Sequence, residues 1–239
     1  MIALTTVAFL VALPSAASET TVPHQTSAGS ANANYRTALD HDRRGEFFLA
    51  AARYRLAAAE SAAIAARALY HATLSSDIAL YESRLRDNRN YVSLFQTAVQ
   101  IQNKYWAFVV EFGEPIPRLF QRAEALFTEA LRAEPFAANP VVCLAALYVQ
   151  AGEPKKADQT ISLLKTRAVR EPDEYNFAFY LALRGDLDRA FSLLERVVLR
   201  DPRQLDWILD SDDFYGLLDH PRLVRLIARF RGSRDRSAK

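Results

Sequence analysis

Asp40, His41 and Asp42 sit side by side, and of all the residues in this chain they come closest to the types that do chemistry. A histidine flanked by carboxylates could ligate a metal or assist a nucleophile. The other three histidines (His24, His71 and His220) are scattered, and no HExxH, GxSxG, GxxxxGK or glycine-rich dinucleotide turn occurs. A solvated helix end accounts for the triplet better than a metal or a catalytic base does, and a turn accounts better for Asp212-Asp213. Cys143 is the only cysteine, which excludes an intramolecular disulfide and a thiolate metal cluster. Placed among Val141, Val142 and Leu144, it is expected to be a buried small hydrophobe. No catalytic, cofactor-binding or metal-ligating residue is therefore assigned, no cofactor is expected, and the chain is expected not to be an enzyme.

The elements that carry these residues are helices. Half of the 239 residues are apolar and only 7 are glycine, a composition that favours packed helices over sheets or disorder. Lys and Arg total 30 against 28 Asp and Glu, so a net charge of +2 offers no field to attract nucleic acid, and no nucleic-acid partner is expected.

One spacing recurs. Gly185, Ala190, Leu194, Val197 and Pro202 form a string whose first four positions return upstream, in the same order and register, as Gly152, Ala157, Ile161 and Leu164, with the proline displaced to Pro172. A third copy keeps Ala123, Phe127, Ala130 and Pro135 but has Arg118 where the glycine should stand. Near the start, Ala50, Tyr54 and Ala57 keep the same offsets from Gly45. Each residue type has a steric reason. Glycine permits a tight turn between antiparallel helices, a small residue lets them approach, a large one fills the space between units, and proline ends the second helix. The copies from Ala123 through Ala157 to Ala190 follow a period of roughly 34 residues, which marks stacked helix-turn-helix units, each too small to bury its apolar face alone. Gly113-Glu114-Pro115-Ile116-Pro117 forces a break, and residues 75–112 are expected to form one or two long helices outside the register. Asn34 is expected to cap the first helix.

This string resembles the tetratricopeptide repeat family. The match is best over 137–204, covers only the second helix of the unit at 118–136, and is partial at 34–62. Leu205-Asp206-Trp207, Asp212-Asp213-Phe214 and His220-Pro221-Arg222-Leu223 resemble the C-terminal cap of bacterial arrays of this kind. The resemblance implies an all-α, right-handed α-solenoid of three to four hairpins with a capping segment. It also implies a protein or peptide ligand on a concave face lined by the first helix of each hairpin. Projecting the helices expected at 139–150 and 173–184 places Asn139, Val142, Ala146 and Gln150 on one exposed stripe and Tyr175, Asn176, Phe179 and Leu183 on the next. For Tyr175 and Phe179 a second reading stands, that they are core.

Residues 2–13 are an uncharged apolar run of about 18 Å as a helix, too short for a bilayer core of about 30 Å. With Pro14-Ser15-Ala16-Ala17 after it, the run is expected to be a signal peptide over 1–17, making the protein exported, to a periplasm or the outside. Residues 18–33 are expected to be a polar flexible leader, 34–112 an N-terminal helical region with degenerate repeats, 113–204 the repeats, and 205–239 the cap and tail. From Arg222 to Lys239 seven basic residues face only Asp235, a local +6 that leaves −4 on the remainder. Such a tail could rest on an anionic membrane surface. The expected function is a non-catalytic scaffold or adaptor of the cell envelope. The alternatives are a membrane-surface protein held by the tail and an α-helical envelope enzyme.

Overall fold

A computed structural model describes residues 32–166, 173–210 and 212–237. Those residues form eleven α-helices and one 3-10 turn, with no strand among them. They fall into two compact units, 32–166 and 173–237, with the division inside the stretch 113–204. The expected signal peptide, nearly all of the leader and Pro172 lie outside the described residues.

Asn32, not Asn34, opens the first unit. Its side chain accepts from Tyr35 N at 2.9 Å and starts α1 (Ala33–Arg44) two residues earlier than expected, while Asn34 donates instead to Glu60. α2 (Phe47–Glu60) and α3 (Ala65–Asp87) follow. α4 (Tyr91–Phe112) begins at a capping box, in which Asn90 Oδ1 accepts from Ser93 N and Ser93 Oγ accepts from Asn90 N. The long helical stretch before Gly113 is thus two helices broken at 88–90. α5 (Pro117–Ala133), with proline at its first position, α6 (Ala138–Gln150) and α7 (Pro154–Thr166) complete the unit. Helices adjacent in sequence are adjacent in space, and α4 also touches α6.

Glycine closes three hairpins here, α1/α2, α4/α5 and α6/α7, at Gly45, Gly113 and Gly152, all with φ between +65° and +75°. Gly45 N donates to Asp42 O and Glu46 N to His41 O; Gly152 N donates to Val149 O and Glu153 N to Tyr148 O. Both are the paired 5→2 and 6→1 bonds of a Schellman turn. Gly113 makes only the single bond to Val109 O, and its loop runs to Pro117. The third copy therefore does have its glycine, upstream of Arg118. The longer loop hides it from a fixed register. Ala50, Ala123 and Ala157 are all fully buried, as their place between paired helices requires.

Two apolar clusters fill this unit. The larger gathers Ile78, Leu85, Leu94, Ile101, Phe108, Leu119, Phe127 and Leu144. The smaller, between α1, α2 and α3, is made of Tyr35, Ala38, Ala50, Tyr54, Ala57, Ile64, Ala68 and Ala72. α2 is apolar outwards as well: Phe48 is 77% exposed, and Leu49 and Leu56 are also exposed.

The second unit contains α8 (Glu174–Leu183) and α9 (Leu187–Arg200), joined at Gly185 (φ +77°), then α10 (Gln204–Asp210), the 3-10 turn Asp212–Leu217 and α11 (Pro221–Ser237). Gly185 N donates to Ala182 O and Asp186 N to Leu181 O, the same Schellman pair that closes the preceding copy at Gly152. Phe214 packs edge-on against Tyr175 and Phe179 of α8. The His220 ring stacks on Phe191 of α9 at 4.5 Å. Arg222 reaches Asp188 Oδ1 at 3.0 Å with its guanidinium over the Phe191 ring, so this residue of the basic tail is engaged inside the unit. No helix among the described residues is long and apolar enough to cross a membrane.

Candidate functional site: the helix stripes and a buried charge network

The two expected stripes are not open. Val142, Ala146 and Gln150 are buried in α6, and Gln150 Oε1 accepts from Gln102 Nε2 of α4 at 3.0 Å. Phe179 and Leu183 are buried in α8, where Phe179 lies against Phe214. Asn139, Tyr175 and Asn176 keep part of their surface, but the Tyr175 hydroxyl donates to Asp213 Oδ2 at 2.9 Å and its ring meets Phe214. The physical reason is that α6 and α8 are apolar around most of their circumference, and such helices bury most of their sides. A wheel projection finds a stripe on them wherever one is drawn. For Phe179 the core reading holds.

The Asp40-His41-Asp42 triplet is divided by its own helix, since neighbours on a helix point about 100° apart. Asp40 pairs at the surface with Arg43, and His41 Nδ1 meets Glu46 Oε2 at 2.6 Å. Asp42 alone turns inward. Cys143 is buried, as expected. No group of His, Cys, Asp or Glu among the described residues could hold a metal.

What Asp42 joins is a polar network inside the first unit that ties four helices together. Lys104 Nζ of α4 lies 2.6 Å from Asp42 Oδ2 and 3.0 Å from Ser75 Oγ of α3. Ser75 donates in turn to Asp42 Oδ1 at 2.8 Å, and the Tyr54 hydroxyl of α2 to Asp42 Oδ2 at 2.8 Å. Lys104 Nζ also faces His71 Nδ1 at 3.1 Å, while His71 Nε2 is 2.7 Å from Glu111 Oε2. Glu111 Oε1 accepts from Arg67 Nε and from the Tyr35 hydroxyl at 2.9 Å. Asp42, Tyr54, His71, Ser75 and Lys104 are fully buried. Helical spacing sets the register: Arg67, His71 and Ser75 stand four apart on α3, and Tyr35 with Asp42, like Lys104 with Glu111, seven apart.

The geometry fixes the proton on His71. A carboxylate at Nε2 needs a donor and an ammonium at Nδ1 needs an acceptor, so the neutral ring carries its hydrogen on Nε2. Burial, and then the Lys104 charge, hold His71 below the ordinary imidazole value. Burial pulls Lys104 below the ordinary lysine value against the attraction of Asp42. For Glu111 burial pushes upward, but the His71 ring, the Arg67 guanidinium and the Tyr35 hydroxyl pull harder, leaving the carboxyl below its usual range. Burial and then the nearby carboxylates raise both tyrosines, with Glu111 the chief carboxylate for Tyr35 and Asp42 for Tyr54. With His71 neutral, the Asp42 and Glu111 carboxylates face the Lys104 and Arg67 cations and the cluster is charge-balanced. Every buried side-chain polar atom among the described residues has a partner. In α4 the only charged residues are Lys104 and Glu111, both in the network. Two lone charges in an otherwise uncharged 22-residue helix were the sequence signal for this site.

Compared with family models, curated proteins and solved structures, the chain matches none.

Proposed function

We propose that this protein is a non-catalytic scaffold built as a tetratricopeptide-like right-handed array of helical hairpins, exported to the cell envelope, that binds a protein or peptide ligand. The observation that carries this reading is the repeated hairpin chemistry. Gly45, Gly152 and Gly185 close their hairpins with the same pair of Schellman bonds, each glycine is followed at the same offset by a fully buried alanine, and the last two stand one repeat length apart. Repetition of one supersecondary unit is how a chain builds an extended surface for recognition. The Lys-His-Asp constellation does not weigh towards catalysis in this reading. Its reacting atoms are spent on each other, and none of Asp42, His71 or Lys104 has any surface for a substrate to reach.

Apolar anchors on a ligand need exposed apolar surface, and α2 supplies it in Phe48, Leu49 and Leu56, while Asn139 and Asn176 remain from the expected stripes. The test is capture from cell-envelope extract by the purified chain beside two variants confirmed folded by circular dichroism, Phe48→Ser with Leu56→Ser, and Asn176→Ala. A protein retained by the parent and lost from one variant supports the reading and locates the surface. Equal retention by all three, or nothing retained, counts against it.

A further inference from the structure

We propose that His71 is an acid-sensitive latch: a second proton on its ring gives the sealed, charge-balanced network one unmatched positive charge against Lys104, and this releases the α1–α2 hairpin from α3 and α4. The inference concerns the first unit alone and does not depend on what the protein binds.

The surroundings of His71 leave a protonated ring nowhere to put its new hydrogen. From α1 it faces the Tyr35 ring and, one residue removed, the Asp42 carboxylate; from α2 the Tyr54 ring stacks on it at 5.2 Å. Its own helix contributes Arg67, Tyr70 and Ser75, and α4 contributes Lys104, Phe108, Glu111 and Phe112. Only Asp42 and Glu111 are acidic among these neighbours. Asp42 already accepts from Ser75, Tyr54 and Lys104, and Glu111 from Tyr35, Arg67 and His71. A hydrogen on Nδ1 would point at the Lys104 amine 3.1 Å away. Lys104 could give up its own proton to accept that hydrogen, but the cluster would then hold the number of protons it started with. Any net uptake leaves one cation too many around Asp42, His71 and Lys104, none of which has surface to solvent, and buried charge without a counter-charge is strongly unfavourable.

The unit divides at a definite place when this happens. α3 and α4 are also held by the large cluster of Ile78, Leu85, Leu94, Ile101 and Phe108, which extends to Leu119 and Phe127 of α5. The α1–α2 hairpin puts only Phe47 and the half-buried Leu39 against that cluster and otherwise rests on the smaller one, in which five of eight members are alanines. Alanine buries little apolar area, so Tyr35, Asp42 and Tyr54 supply a larger share of what holds this hairpin down. Opening frees its inner face to water and lets His71 take its proton in solvent.

The test is hydrogen exchange of the full chain between pH 7.5 and 5.0, corrected for the intrinsic pH dependence of exchange, together with the carbon-13 resonance of the His71 ring. The free imidazole titrates near 6.5, so the opening constant for amides in 33–60 should rise up to about tenfold for each pH unit below that, while amides in 91–133 hold their protection. In His71→Gln, whose amide can still donate to Glu111 and accept from Lys104, the rise should vanish. In His41→Gln it should remain. A flat response of 33–60 in the parent, or an undiminished rise in His71→Gln, would overturn the latch. If His71→Gln does not fold, the ring resonance in the parent decides: protonation that runs together with the opening of 33–60 supports the proposal, and a ring that titrates in this window without opening, or does not titrate, overturns it.

Discussion

Lys104→Met is the sharpest perturbation of the first unit, because it removes a cation from a site where water cannot take its place. The methionine fills most of the same volume, so little cavity remains. What changes is Asp42, which keeps the Ser75 and Tyr54 hydroxyls but loses its only cation, 2.6 Å away. Breaking one side of a buried ion pair costs about 3–5 kcal/mol. With a urea m-value of about 2 kcal/mol per molar, this corresponds to a midpoint lowered by roughly 2 M. Asp42→Asn in the same chain should recover a large part of that loss, because an amide oxygen can still accept from Ser75 and Tyr54 without leaving a charge behind. The double-mutant cycle should therefore show a coupling of about 2 kcal/mol or more. Trp106 lies buried in α4, so its fluorescence in a Trp207→Phe background reports this unit alone. The midpoint difference should be unchanged between 0.05 and 0.5 M salt, since a pair sealed from solvent is hardly screened. A midpoint shift under 0.3 M for Lys104→Met, or additive losses in the double variant, would refute the claim that a buried pair anchors these helices.

The second unit should answer pH in the opposite sense to the first. Burial raises the Asp213 carboxyl to about 6, opposed by the hydrogen bond from Tyr175. A raised carboxylate stabilises most below its unfolded value near 4 and loses that contribution as pH climbs through about 6. Asp213→Asn should thus stabilise residues 173–237 by up to about 3 kcal/mol at pH 7.5 and by nothing at pH 4. Exchange protection of α8 across that range checks it, and a gain independent of pH would refute it. Phe179→Ala should destabilise the same unit by about 3–5 kcal/mol, as core aromatics do, instead of leaving the fold intact; an unshifted melting transition would return Phe179 to the surface. Gly152→Ala and Gly185→Ala should each cost about 1 kcal/mol from the left-handed backbone alone, since no atom lies within 4 Å of the added methyl. Thermal melts would show it, and neutrality at both would mean the turns tolerate another conformation.

The hairpins were legible because their signals are local. A glycine, a small residue on the following helix and a proline near the end act within one turn and two helices, so Gly152 and Gly185 identify their hairpins without knowledge of the rest. Gly113 was hidden by a longer loop, which shifts the register but not the turn. The faces of α6 and α8 could not be read, because periodicity distinguishes inside from outside only where a helix has a polar side. The network was hidden for a different reason. Asp42, His71 and Lys104 are far apart in the chain, and only the folded protein brings the first two within 3.1 Å of the Lys104 amine. The triplet Asp40-His41-Asp42 drew attention to the right carboxylate for the wrong partner.

The most direct measurement is the rate at which Lys104 is reductively methylated in the native protein, read by peptide mass spectrometry beside Lys155, Lys156 and Lys165. An accessible amine with a lowered pKa reacts faster than an ordinary lysine, whereas a sealed one waits for unfolding. The buried network predicts that Lys104 stays unmodified while the three exposed lysines are methylated, and that it reacts only once urea opens the unit. Methylation of Lys104 as fast as, or faster than, that of the exposed lysines in the native protein would contradict this account and point to an open, reactive site.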